Sequence, residues 1–135
     1  MGIKQVDNHT LVYAHPNFIK DKDSLFDRDP VTKKQYAKWL DKKLHLLESY
    51  GIQASLSLLP NDIEKMSGGK EDIYCLRRNK TTGNPRTLFI TLIEDDNNEY
   101  YILLPAFKET SEGSYQRGLE VAKKRRKEVL DALKL

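Results

Sequence analysis

The chain has 135 residues, enough for one domain with a single modest core, and its 39% hydrophobic and 32% charged content reads as globular rather than disordered or fibrous. No apolar run approaches the roughly 18 residues of a membrane helix, and "MGIKQVDNHT" has neither the charged start nor the apolar core of a signal peptide, so a cytoplasmic protein is expected. The net charge of +3 is mild, but acids crowd "IEDDNNE" (93–99) while bases crowd "LRRNK" (76–80) and "KKRRK" (123–127), so an anionic ligand would meet local positive potential.

In chain order, "HTLVYAHPNF" alternates weakly around Leu11 and Tyr13 and predicts a first strand ending near His15 and Pro16. A short helix is expected within Pro16 to Phe26. From Asp29 the pattern sharpens: Tyr36, Leu40, Leu44 and Leu47 recur at helical spacing, and Gly51 is placed to end that helix. "LPNDIEKMSGG" predicts a short helical turn, with Asn61 as its cap and Glu64 completing a capping box.

Three strands follow, "EDIYCLRRN" (71–79), "RTLFITLIE" (86–94) and "EYYILLPAF" (99–107), joined by the turn-rich "KTTGNP" and "DDNN". The lone cysteine, Cys75, excludes an intrachain disulfide and a cysteine-based metal site, and is expected to be a small buried side chain in its strand. The last segment, "SYQRGLEVAKKRRKEVLDALKL", sets Leu119, Ala122, Arg126, Val129 and Leu133 along one face of a basic helix. The order β-α-α-β-β-β-α defines an α+β fold with helices against an antiparallel sheet, in one domain over 1–135.

The ordered set "LLESYG", "LP", "MSGGKEDIYCLR", "RTLFI", "YYILLPAFKET" and "EVAKKRR" resembles the RelE/HigB superfamily of toxin–antitoxin toxins, in particular its phage-derived HigB-like branch. In that branch a helix ends in Tyr-Gly, a strand reads like "LYELR", the next begins with arginine, and a third runs into "LLHGFxKKT" before an Arg-rich helix. The similarity spans about residues 36 to 130. It implies a RelE-like fold and a metal-independent endoribonuclease that cleaves translated mRNA at the ribosome, with no cofactor and a cognate antitoxin of helix-turn-helix type as partner.

The same resemblance assigns residues. Arg86 matches an arginine that contacts the scissile phosphate in related toxins, Arg77 matches the strand arginine before it, and Lys108 matches the first lysine of "KKT". Tyr115 falls where some members carry a tyrosine that stacks on or activates the nucleotide. The third strand would deliver "FKETSEGSY" to a concave sheet face where RNA would lie. Glu109 departs from the pattern, which has a basic residue there; a carboxylate would repel phosphate unless it serves as general base.

Candidate phosphate contacts are Arg78, Lys80, Arg117 and Lys124, whereas Arg125 and Lys127 are expected to solvate the outer helix face. His45, in the middle of the long helix beside the apolar stripe, is expected in a surface or boundary role, and His15 near a sheet edge. No carboxylate–histidine spacing is read as a metal site. The histidines that some HigB members use near the second strand are absent. Glu109 and those missing histidines favour an alternative, a non-catalytic protein on the same scaffold, such as a ParE-like gyrase inhibitor or an inert phage-derived relic.

Overall fold

The computed structural model describes residues 2–66, 71–79, 81 and 83–134. Its elements run β1 (Lys4–Gln5), β2 (Val12–Ala14), α1 (Phe18–Ser24), α2 (Pro30–Leu58), β3 (Ile63–Lys65), β4 (Tyr74–Arg77), β5 (Pro85–Ile93), β6 (Glu99–Lys108) and α3 (Glu112–Leu133). Without the short β1 and β3, this is the expected β-α-α-β-β-β-α order of an α+β domain. The strands form one six-stranded sheet in the order β1-β2-β6-β5-β4-β3. All neighbours are antiparallel except β2 and β6, which run parallel, so the sheet is mixed rather than wholly antiparallel.

The pleat explains how one sheet feeds two cores. Tyr74, Leu76, Phe89, Tyr101 and Leu103 meet Phe18 and the α2 stripe of Tyr36, Leu40, Leu44 and Leu47 on one face. Cys75, Leu88, Ile90, Ile102 and Leu104 alternate with them and meet Leu119, Ala122 and Val129 of α3 on the other. Both faces are therefore covered by helices, and "FKETSEGSY" emerges at the end of the sheet rather than on an open concave face. Of the stripe expected on α3, Leu133 is 41% exposed and lies outside this core.

The register of β5 against β6 slips once. Thr87 pairs with Ala106 and Phe89 with Leu103, so β6 carries one extra residue there, beside Pro105, which has no N–H to donate. The bulge reverses the alternation beyond it. Ala106 joins the α2-side core of Leu103, and Phe107 packs with the α3-side cluster. Phe107 also fixes how closely α3 approaches, because a Cβ on Gly118 would come within 2.3 Å of its ring.

The helix starts follow local chemistry. Asp29 caps α2 by accepting from Thr32 N at 3.0 Å, with Pro30 at the first helical position. Ser111 and Ser114 form a reciprocal capping box at α3. Gly51 breaks α2 as expected, at φ 82° and ψ 168°, but a second helical stretch continues to Leu58. The expected helical turn at Asn61 to Gly69 is overturned within its described part. Ile63–Lys65 pair with Leu76–Tyr74 as a strand, and a ladder partner outcompetes the local capping pattern.

Candidate functional site

The far ends of β4, β5 and β6 bring the candidates together, and the ladder sorts them into separate groups. Arg77 and Arg86 stand directly opposite each other in the β4–β5 register. Facing like charges destabilise a ladder unless each is neutralised. Arg77 donates to Glu64 Oε2 at 2.9 Å and to the carbonyls of Asn61 and Pro60 at 3.2 and 3.1 Å. Arg86 is only 6% exposed and donates to Glu109 Oε1 at 3.2 Å, Asn79 Oδ1 at 2.8 Å and the Pro85 carbonyl at 3.3 Å. Its guanidinium is thus engaged by the protein itself, which leaves it placed to orient Glu109 rather than to meet a phosphate.

Glu109 sits where "FKETSEGSY" leaves the sheet. Its backbone N–H donates to the Asn84 carbonyl at 3.1 Å, and its half-buried carboxylate receives Arg86 on Oε1. The departure from the family pattern therefore has a local partner. A carboxylate beside a buried guanidinium completes an ion pair that two basic residues could not.

Lys108, one residue earlier, projects to the opposite side because of the bulge. Its ammonium lies 4.7 Å from the centre of the Phe26 ring, a cation–π contact. It lines a cleft of about 320 Å³ along the part of β6 that extends past β2, together with Asp21, Ser114, Arg117 and Arg125. Arg125 donates to Asp21 at 2.5 Å and to the Leu104 carbonyl at 2.7 Å. That overturns the expectation of an outer-face charge: Leu104 lies past the last β2–β6 pair, Ala14 with Leu103, and beside the bulge, and Arg125 satisfies its carbonyl. Lys127 is the outer-face charge expected, paired with Asp131 at 2.9 Å.

The remaining candidates lie elsewhere. Tyr115 is half-buried and packs into the cluster between α3 and the sheet, outside the lining of the cleft. Arg78 stacks 5.7 Å over Trp39 and donates to the Gln35 carbonyl at 3.2 Å. Lys124 is exposed on α3, and Lys80 lies outside the described residues. Cys75 is buried as expected, and burial pushes its thiol well above the ordinary range, which removes it as a nucleophile.

The histidines hold the residues that sequence reasoning missed. His9, on the turn between β1 and β2, is buried and contacts Glu48 through Nδ1 and Asp41 through Nε2, the latter at 2.6 Å. His45 stacks on its ring with centroids 4.1 Å apart. Asp41 and His45, a spacing that the sequence alone does not mark as a metal site, are one helical turn apart on α2 and contact each other at 3.6 Å. That pair was legible in the sequence. The addition of His9, from a separate element, was not.

Comparisons with models of protein families, with curated proteins and with solved structures find no match to this chain. Among the described residues no helix is long and apolar enough to cross a membrane.

Proposed function

We propose that this protein is a RelE/HigB-like toxin, an endoribonuclease that cleaves translated mRNA and is held inactive by an antitoxin. The observation carrying this reading is that the end of β6 bears an oriented carboxylate, Glu109, next in sequence to Lys108, which lines a cationic cleft. Glu109, held by Arg86, is followed by the capped start of α3, and Lys108 and Arg117 line the cleft. Cleavage by RNA's own 2′-hydroxyl needs a base for that proton, positive charge for the phosphate and an acid for the departing 5′-oxygen. On this reading Glu109 is the base, Arg117 offsets charge and Lys108 protonates the leaving oxygen, while Arg86 is a positioning residue.

Induced expression followed by primer extension on a translated message tests it. The expected result is growth arrest with cuts inside codons, and loss of both with Glu109→Gln. Normal growth and intact messages at verified soluble expression would overturn the reading.

A second reading, a non-catalytic binding protein on the same scaffold, is favoured by the closed Arg86–Glu109 pair and by the helices covering both sheet faces. Growth arrest with DNA breakage and intact messages would select it.

A further inference from the structure

We infer that His9, Asp41 and His45 bind one divalent transition-metal ion of the Zn²⁺ class, tying the β1–β2 turn to α2. Their donor atoms lie within 4.8 Å of one another. Metal–ligand distances of about 2.0–2.1 Å place tetrahedral donors about 3.3 Å apart. The separations of 2.6 Å from His9 Nε2 to Asp41 Oδ1 and 3.6 Å from His45 Nε2 to Asp41 Oδ2 bracket that value. Turning the half-exposed His45 ring out of its stack on His9, with a rotation of the half-exposed Asp41, would bring the three donors to one centre.

The surroundings of His9 select the ligating nitrogen. Glu48 Oε2 accepts from the backbone N–H groups of Thr10 and Leu11, both at 2.9 Å, so this carboxylate is fixed before it meets the imidazole. Its Oε1 takes the Nδ1 side of His9. An outer carboxylate on one ring nitrogen is the usual device for presenting the other nitrogen's lone pair to a metal. The Nε2 lone pair then faces Asp41 Oδ1, and two electron-rich atoms at 2.6 Å repel unless a cation lies between them. The His9 side chain is fully buried, whereas Asp41 and His45 are half exposed, so an ion enters from the solvent side and can keep water in its remaining positions.

Two imidazoles and one carboxylate suit Zn²⁺ and its first-row neighbours, not Mg²⁺ or Ca²⁺, which favour oxygen donors. The three ligands come from the N-terminal turn and the middle of α2, so the ion joins two elements otherwise far apart in sequence. The cluster shares no residue with the Arg86–Glu109 pair or the Lys108 cleft. Its contribution is therefore to the folded state, since ions that bind only a formed site add their binding energy to stability.

The untagged full chain, stripped with chelator and dialysed, is titrated with ZnCl₂ by calorimetry and with CoCl₂ by visible absorption. The expected result is one ion per chain, a tetrahedral Co²⁺ spectrum and a higher melting temperature with Zn²⁺. His45→Ala and Asp41→Asn, which alter half-exposed side chains, should each weaken Zn²⁺ binding at least tenfold while circular dichroism stays native. Absence of stoichiometric binding, or equal affinity in both folded variants, would overturn the site. That outcome would assign the cation between His9 and Asp41 to a proton.

Discussion

Arg86 lies opposite Arg77 on the ladder, and the two arginines differ in what holds them. Arg77 meets one carboxylate and two carbonyls at a half-exposed edge, whereas Arg86 is buried with Glu109, Asn79 and Pro85. Arg86→Ala removes the donor from three acceptors, and each buried polar group left unpaired costs about 1–3 kcal/mol. Glu109 is 31% exposed at its side chain, so water recovers part of that loss, and the expected total is about 2 kcal/mol by urea denaturation. Glu109→Gln keeps an oxygen for Arg86 Nε and should cost well under half as much. A larger loss in Glu109→Gln would mean that the carboxylate, not the guanidinium, organises the corner.

His15 supplies a pH dependence at the same scale. Its Nδ1 accepts from the Asn17 N–H at 3.1 Å at the start of α1, a role only the unprotonated nitrogen can fill. Burial, then the neighbouring Arg125 charge, lower its pKa below the usual histidine value, against the opposing pull of Glu128 and Asp21. A depressed folded value means that the contribution is complete above the unfolded pKa of about 6.5 and is lost as pH falls below it. Melting temperature should therefore drop between about pH 7 and pH 5 in the wild type. His15→Asn, which offers an oxygen acceptor and does not titrate, should flatten that drop, and an unchanged profile would remove His15 as its source.

At the scale of elements, what the sequence announced and what it concealed divide along local and non-local chemistry. The Tyr36-Leu40-Leu44-Leu47 stripe was legible because helical periodicity is written in neighbouring residues, and all four are buried. β3 was not, because Asn61 and Glu64 carry a valid capping pattern and only the partner strand β4 overrides it. The bulge in β6 was equally hidden. Alternation along "YYILLPAFK" predicts one face for each residue, and the extra residue near Pro105 moves Lys108 to the side of Phe26.

Gly51 shows both sides at once. The sequence places a helix stop there, but not that the chain resumes helical geometry, because the resumption depends on Glu99. Its Oε1 accepts from the freed Ile52 N–H at 2.8 Å and from the Tyr101 hydroxyl at 2.5 Å. At φ 82° and ψ 168° the backbone is in a region essentially restricted to glycine. A Cβ would find space, its nearest neighbour being Glu99 Oε1 at 3.6 Å, so the penalty for Gly51→Ala is one of backbone conformation. The expected loss is about 1–3 kcal/mol by urea denaturation, with near-native circular dichroism. A neutral result would mean that the bend between the two helical stretches relaxes freely.

For the whole molecule, the question is whether charge acts through its total or through its placement. A net +3 spread evenly would attract RNA weakly and would respond equally to the loss of any cation. The fold instead sets Arg117 in the cleft beside Lys108, and leaves Lys124 exposed about two helical turns further along α3, outside the cleft lining. Arg117→Ala and Lys124→Ala each remove one positive charge, so a difference between them reports placement alone. Binding is measured with a single-stranded RNA carrying 2′-O-methyl groups, which cannot cleave itself, across a range of salt. Each phosphate contact contributes about 0.7 to the slope of log affinity against log salt for single strands. Arg117→Ala should lower the slope by about that amount, and Lys124→Ala should leave it within error. Both side chains are exposed, so folding should survive either change, which melting curves verify. Equal effects from the two variants would mean that RNA reads only the overall charge, and the cleft would lose its claim to be the phosphate path.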